Sequence, residues 1–258
     1  MTDMSDFHQM KALLEWQIEL GAVDAISDAP VNRYELEAKP PKLETKAAQP
    51  APAVVRVADV DAVAVARKAA EAASDFNGLR AAMAAFELCD LKKGARNLVF
   101  SDGVPGARVM VIGEAPGRDE DQQGKPFVGR AGQLLDKMFD AIGMGRSMEK
   151  RDALYITNIL PWRPPQNRDP KPDEIAMMMP FVEKHVALAA PDLIVLMGNV
   201  ACQGVLGRKG ITKLRGQWDE ALGKPVLPMF HPAYLLRNPT AKREAWADLL
   251  SLQARLKG

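Results

Sequence analysis

Beyond Asp102 the chain alternates short apolar runs with longer amphipathic ones. The runs "ARVMVIGE", "ALYITNI", "DLIVLMG" and "KPVLPMFH" are too short for helices and rich in β-branched and other apolar residues, so they predict four strands. Between them, "RAGQLLDKMFDAIG", "PDEIAMMMPFVEKHVALA" and "NVACQGVLG" carry apolar residues at helical spacing, and "TAKREAWADLLSLQARL" closes the chain in the same way. Strands that are apolar nearly throughout and alternate with helices predict a parallel sheet covered on both faces, with right-handed crossovers. Residues 58–74 predict a further helix, and a second follows after Asp75 through about Leu88. Upstream, Phe7, Met10, Leu13, Leu14, Ile18 and Leu20 fall on roughly helical spacing over residues 5–21, with Gly21 as the stop. The stretch "AKPPKLETKAAQPAPAV" has almost no large apolar residues and predicts an extended, solvated linker. The expected division is a helical segment over 1–37, a Pro/Ala-rich linker over 38–54 and a main domain over 55–258.

A length of 258 residues with 47% hydrophobic content is ample for one buried core. Net charge is +1, but residues 1–78 carry 8 Lys/Arg against 13 Asp/Glu, which leaves 26 against 20 in the remainder. That basic excess permits nucleic-acid binding without establishing it. Two cysteines, Cys89 and Cys202, make neither a disulfide framework nor the four-ligand set of a structural metal site, and a reducing cytosol fits them best. The N-terminal residues contain no long apolar run, so neither a signal peptide nor a membrane span is expected.

In an open parallel sheet, ligands bind beyond the carboxyl ends of the strands. The first predicted strand ends in Gly113-Glu114-Ala115-Pro116-Gly117, the second in Asn158, the third in Gly198-Asn199 and the fourth in His231-Pro232. A carboxylate, a carboxamide and an imidazole are thereby brought to one edge from three strands. Each has a plainer reading: the Gly/Pro loop as a tight turn, Asn158 as a turn cap, Phe127 in "GKPFVGR" as a core aromatic. His231 is distinguished by Pro232, which keeps it out of helical geometry, and Phe127 by its glycine-flanked loop, where a flat ring can stack on a ligand. His185, beside Lys184 in a predicted helix, is expected to be solvated. No G-x-G-x-x-G or G-x-x-x-x-G-K-[ST] follows a strand, and no serine sits on a strand-to-helix elbow, which argues against dinucleotide, P-loop and serine-hydrolase chemistry.

From Cys89 onward the chain resembles the uracil-DNA glycosylase superfamily, and within it family 4. The resemblance is carried by "GEAPGRDEDQQGKPFVGRAGQLLD", "YITNILPWRPPQNRDPKPDEI" and "HPAYLLRNP", in family order. It implies a three-layer α/β/α sandwich around a four-stranded parallel sheet, and an enzyme that flips uracil out of DNA and hydrolyses its N-glycosidic bond, leaving an abasic site. The resemblance assigns His231 to the departing uracil anion, and Glu114, with Glu120 or Asp121, to the attacking water or the cationic sugar; the choice among the three carboxylates is left open. It assigns Phe127 to stacking, Asn158 to the base edge, and Ala115, Gly117 and Asn167 to the pocket. Arg163, Lys213, Arg215 and Arg237 would meet DNA phosphates, and Leu235 or Leu236 would wedge into the gap left by the base.

Members of family 4 usually hold a 4Fe-4S cluster through four cysteines. Alignment of the motifs puts Phe86, Trp162 and Met178 at three of those positions and leaves Cys89 alone, so no cluster and no other cofactor or metal is expected. The loop "WRPPQNRDP" has neither histidine nor a basic run, which favours ordinary turnover over covalent trapping on DNA. The expected partner is uracil-containing DNA, single- or double-stranded, acted on by a cytoplasmic monomer. The competing expectation is a non-catalytic binder of damaged or abasic DNA.

Overall fold

The structure is a computed structural model that describes residues 10–15, 17, 61–149 and 151–257. The chain divides into two units, Met1–Arg56 and Val57–Gly258. In the first, residues 10–15 are helical, with Lys11 Nζ 3.6 Å from Glu15. The rest of the helix expected over 5–21, and the whole linker expected over 38–54, lie outside the described residues.

The second unit holds a six-stranded sheet: β1 (Asp102–Gly103), β2 (Val109–Gly113), β3 (Leu154–Asn158), β4 (Leu193–Met197), β5 (Asp219–Ala221) and β6 (Lys224–Met229). Their order is β1-β3-β2-β4-β6-β5, with the four inner strands parallel and the two edges antiparallel. The inner four are those the apolar runs predict. Every residue of β2, β3 and β4 is buried, as strands covered on both faces must be. The edge strands carry no apolar run and follow from turn geometry. Gly103 has φ of 92° and lies so close to Leu154 that a Cβ would sit 2.0 Å from its carbonyl oxygen. Leu222 and Gly223, at φ of 53° and 67°, turn β5 back onto β6 as a two-residue hairpin loop does.

The helices are α1 (Ala62–Ala72), α2 (Phe76–Ala85), α3 (Leu91–Gly94), α4 (Arg118–Gln123), α5 (Arg130–Asp140), α6 (Pro172–Ala189), α7 (Gly198–Leu206), α8 (Ile211–Leu214), α9 (Pro232–Arg237) and α10 (Lys242–Lys257). Helix α6 starts with Pro172 at its first position while Glu174 accepts from Lys171 N at 2.8 Å, and it stops where Ala190 turns left-handed. Helices α1 and α2 pack on α6, α7 packs on β2, β4 and β6, and α5 joins α9 and α10. The long helices match the predicted ones. The short α3, α4, α8 and α9 hold too few residues for a periodic signal.

His185 corrects the sequence reading. It is 1% exposed, and its Nε2 lies 2.8 Å from the Tyr155 hydroxyl, with the Phe100 ring 4.4 Å away. A helix turns about 100° per residue, so the solvent preference of Lys184 says nothing about its neighbour. Burial pushes the His185 pKa down to about 3, and the ring is neutral at ordinary pH.

Candidate active site

The parallel register places Gly113 of β2 beside Asn158 of β3, so the residue that follows β2, Glu114, emerges next to the carboxamide that ends β3. Main-chain bonds lock the two exits together: Ile159 N donates to Gly113 O and Leu160 N to Glu114 O, each at 3.0 Å. His231 follows β6, and Gly198 and Asn199 follow β4. All four strand ends open into one cavity of about 610 Å³, which Glu114, Phe127, Asn158, Asn167 and His231 line together. The convergence expected from the sequence is therefore present. Ala115, Gly117, Glu120 and Arg237 line the same cavity.

Asn158 is 5% exposed, and its Oδ1 is buried with no hydrogen-bond partner. A buried unpaired carbonyl costs free energy that a ligand donor would recover. The side chain is held against Gly113, where a Cβ would sit 2.4 Å from that oxygen and 2.6 Å from the Phe127 ring. Only glycine lets the amide and the ring approach the strand end so closely.

His231 has extended backbone and caps α9, with its Nδ1 accepting from Ala233 N at 3.1 Å. An Nδ1 that accepts leaves the ring proton on Nε2. Burial, with a smaller contribution from the Arg237 charge, lowers the His231 pKa to about 4. The imidazole is thus a neutral donor at ordinary pH. Phe127 stacks on it at 5.5 Å between ring centres and 28° between planes.

Of the three carboxylates left open above, only Glu114 is free to act in the cavity. Glu120 Oε1 accepts from Val128 N at 3.0 Å and Gly129 N at 2.9 Å, and its Oε2 accepts from Gly117 N at 3.1 Å. It clamps the loop after β2 to the loop that carries Phe127. Asp121 is absent from the cavity wall and accepts from Arg96 N at 2.8 Å and Asn97 N at 3.2 Å, which fixes the turn before β1.

Burial raises the Glu114 pKa, and the charge of Asp169 raises it further. Asp169 lines the cavity in a loop held by two contacts: Arg163 Nε donates to Asn167 Oδ1 at 2.8 Å, and Arg168 donates to Glu174 at 2.5 and 2.9 Å. A carboxylate that must ionise to work gains activity as pH rises through its raised pKa. Asp169→Asn removes a negative neighbour, so the acidic limb of the kcat/KM profile is expected to move to lower pH. An unmoved limb in that variant would show that Asp169 does not govern Glu114.

The residues expected to meet DNA divide. Arg237 lines the cavity and Lys213 is exposed on α8. Arg215 turns inward, its Nε donating to Asp248 Oδ2 at 2.9 Å and its Nη2 to Glu244 O at 2.9 Å. Arg163 is committed to Asn167, as above. Leu235 is fully buried in the core and cannot serve as a wedge without vacating it, whereas Leu236 is 37% exposed. Lys209, Arg168, Tyr234 and Asn199 also line the cavity. Asn199 Oδ1 accepts from Gly210 N at 3.0 Å and Ile211 N at 2.8 Å and so anchors the turn between α7 and α8, which carries Lys209. Its place just after β4 was the available sequence signal.

The donor set does not fit an iron-sulfur cluster. Phe86, Cys89, Trp162 and Met178 are all buried in the hydrophobic core, and Phe86 packs edge-on against Phe181 at 5.5 Å. Burial raises the Cys89 pKa, which keeps it a thiol. Among the described residues no group of three or more His, Cys, Asp or Glu could hold a metal. Nor is any described helix long and apolar enough to cross a membrane.

Residues 100–250 match the model of the uracil DNA glycosylase superfamily, more than half of the chain. A type-4 uracil-DNA glycosylase of Thermotoga maritima is 41% identical over 153 residues, 58% of this chain and 77% of that protein. One of Archaeoglobus fulgidus is 38% identical over 62% of this chain and 82% of its own length. One of Sulfurisphaera tokodaii is 36% identical over 60% of this chain and 73% of its own length.

Proposed function

Because the chain belongs to the uracil DNA glycosylase superfamily, we propose that it hydrolyses the N-glycosidic bond of uracil in DNA, and that it is monofunctional, leaving free uracil and an abasic site. The single observation that carries this reading is the buried, unpaired Oδ1 of Asn158, a residue that lines the same cavity as the neutral donor His231. Uracil offers an N3–H donor flanked by O2 and O4 acceptors. Cytosine has an acceptor at N3 and an amino group at C4, so its edge would leave Asn158 Oδ1 facing an acceptor, a mismatch that hydrogen-bonding sites reject strongly.

The target sugar carbon is hidden in the base stack, so the nucleotide has to leave the duplex to react. In the cavity its base would lie against Phe127 with Asn158 on its edge. As the bond to N1 breaks, negative charge grows on the uracil and positive charge on the sugar. The Nε2–H of His231 supports the first, at O2, and does so without transferring its proton, since the ring is already neutral at neutral pH and a neutral imidazole N–H is a very weak acid. Glu114 supports the second, orients the attacking water and accepts its proton, so that hydroxyl adds to the sugar carbon as uracil leaves as an anion, which takes up a proton from solvent. Lys209, Arg237 and Lys213 supply phosphate contacts around the mouth, and Leu236 the wedge.

The reading includes a cluster-free protein that works as a monomer in the cytosol, where DNA and reducing conditions coincide. Protein purified without oxygen is expected to contain no stoichiometric iron. About four irons per chain would overturn this. The function itself is tested with oligonucleotides bearing one uracil, cytosine, thymine or hypoxanthine: release of free base from the uracil strand is expected, and tight binding without release would identify a damage reader instead. Release of hypoxanthine at a comparable rate would widen the substrate class.

A further inference from the structure

Phe127 sits in the left-handed region, at φ of 54°. A bulky aromatic residue adopts that conformation only when its surroundings impose it. Three groups do so here. Gly132 supplies room, since a Cβ there would lie 1.7 Å from Phe127 O. Glu120 holds the two amides that follow the ring. Arg146 holds the two carbonyls at and before it, donating from Nη2 to Phe127 O at 2.9 Å and from Nη1 to Pro126 O at 3.2 Å.

Arg146 is itself fixed. Its Nε and Nη2 donate to Asp136 Oδ1 at 2.9 and 2.7 Å, and its Nη1 donates to Asp102 Oδ2 at 2.8 Å. These five bonds use all five N–H groups of the guanidinium. They tie together β1, α5 and the ring-bearing loop. Arg146 is not part of the cavity wall. It reaches the site through the backbone of Pro126 and Phe127.

We infer that Arg146 is a positioning residue that sets the Phe127 ring against Gly113 and His231, and through it the plane on which the flipped base stacks. The inference rests on the function proposed above, in that the stacked ligand is a base. Lysine cannot replace it, because a single ammonium cannot fork between two carbonyls and two carboxylates in fixed directions. The edge strand β1 gains a purpose from this arrangement, since it delivers Asp102 to the guanidinium.

The test is a double-mutant cycle between Arg146→Met and Phe127→Ala, read both as kcat/KM for uracil release and as affinity for a uracil-containing oligonucleotide. Arg146→Met alone is expected to lower kcat/KM by about 10–100-fold through displacement of the ring. In the Phe127→Ala background the same change is expected to cost less than about two-fold, because no ring remains to be misplaced. Arg146→Lys should behave like Arg146→Met. Equal losses in both backgrounds, or full activity in Arg146→Lys, would overturn the inference and leave Arg146 as a scaffold residue only. If Arg146→Met does not fold, Asp136→Asn takes its place in the cycle with the same expected pattern. Failure of the wild type to release uracil counts against the proposed function alone, since the affinity arm still reads the coupling.

Discussion

Glu114→Gln is expected to lower uracil release by about 10²–10⁴-fold, the range ascribed to a positioned general base, with little change in affinity for uracil-containing DNA. The amide keeps the shape and a carbonyl oxygen but removes the charge that faces the forming cationic sugar and the proton acceptor that orients water. The substitution should not harm the fold. Burial and Asp169 already disfavour the ionised form of Glu114, so the folded chain holds a proton there more tightly than the unfolded chain does. That carboxyl therefore costs stability as pH rises through its raised pKa, and a neutral replacement relieves the cost at neutral pH. Lost turnover with unchanged or raised Tm separates the catalytic role from a structural one. A drop of less than a few-fold would return the role to another group.

His231→Ala is expected to lower kcat by about 10²–10³-fold, the usual effect of removing one preorganised donor from a developing anion. Its loss also removes the acceptor for Ala233 N at the start of α9, a cap worth about 1 kcal/mol, so a small fall in Tm accompanies the kinetic effect. The pH dependence carries the sharper signature. A general acid with an ordinary histidine pKa would lose activity above about pH 6.5, whereas a neutral donor that protonates only near pH 4 keeps its form across the neutral range. The wild-type profile should therefore show no alkaline limb assignable to His231. A limb near pH 6.5 that disappears in His231→Ala would show that the imidazolium is the active form.

His185, buried in the core, and His231, in the cavity wall, also bear on the acid stability of the molecule. His231 and His185 have folded pKa values lowered to about 4 and about 3, below the value of about 6.5 for a free histidine. The stability they contribute is present above pH 6.5 and is lost as pH falls toward those values, because the unfolded chain takes up protons first.

Much of the fold was legible because its inner strands are covered on both faces. "VMVIG", "LYITN" and "LIVLM" can be little else than buried strands once helices separate them. The carboxyl ends of the first two, with that of β6, then named Glu114, Asn158 and His231 without any knowledge of distances. The edge strand at Asp102–Gly103 was not legible, since its pairing is fixed by a close glycine contact and by Arg146, 44 positions later. Spacing also could not tell which of Glu114, Glu120 and Asp121 stays uncommitted, because the amides that engage Glu120 and Asp121 include those of Val128, Gly129, Arg96 and Asn97 on other segments of the chain. Leu235 and Leu236 pose the same problem: adjacent helical residues face about 100° apart, and only packing shows which is inside. Arg146 lies outside every motif quoted and became visible only through the backbone it holds.

The measurement that bears most directly on the central claim is single-turnover release of free uracil from a defined oligonucleotide, comparing wild type, Glu114→Gln and Asn158→Ala. Wild type is expected to release one uracil per uracil strand and leave an intact but alkali-labile backbone, with both variants strongly impaired and still folded. Binding without release by wild type, or release undiminished in both variants, would contradict the account.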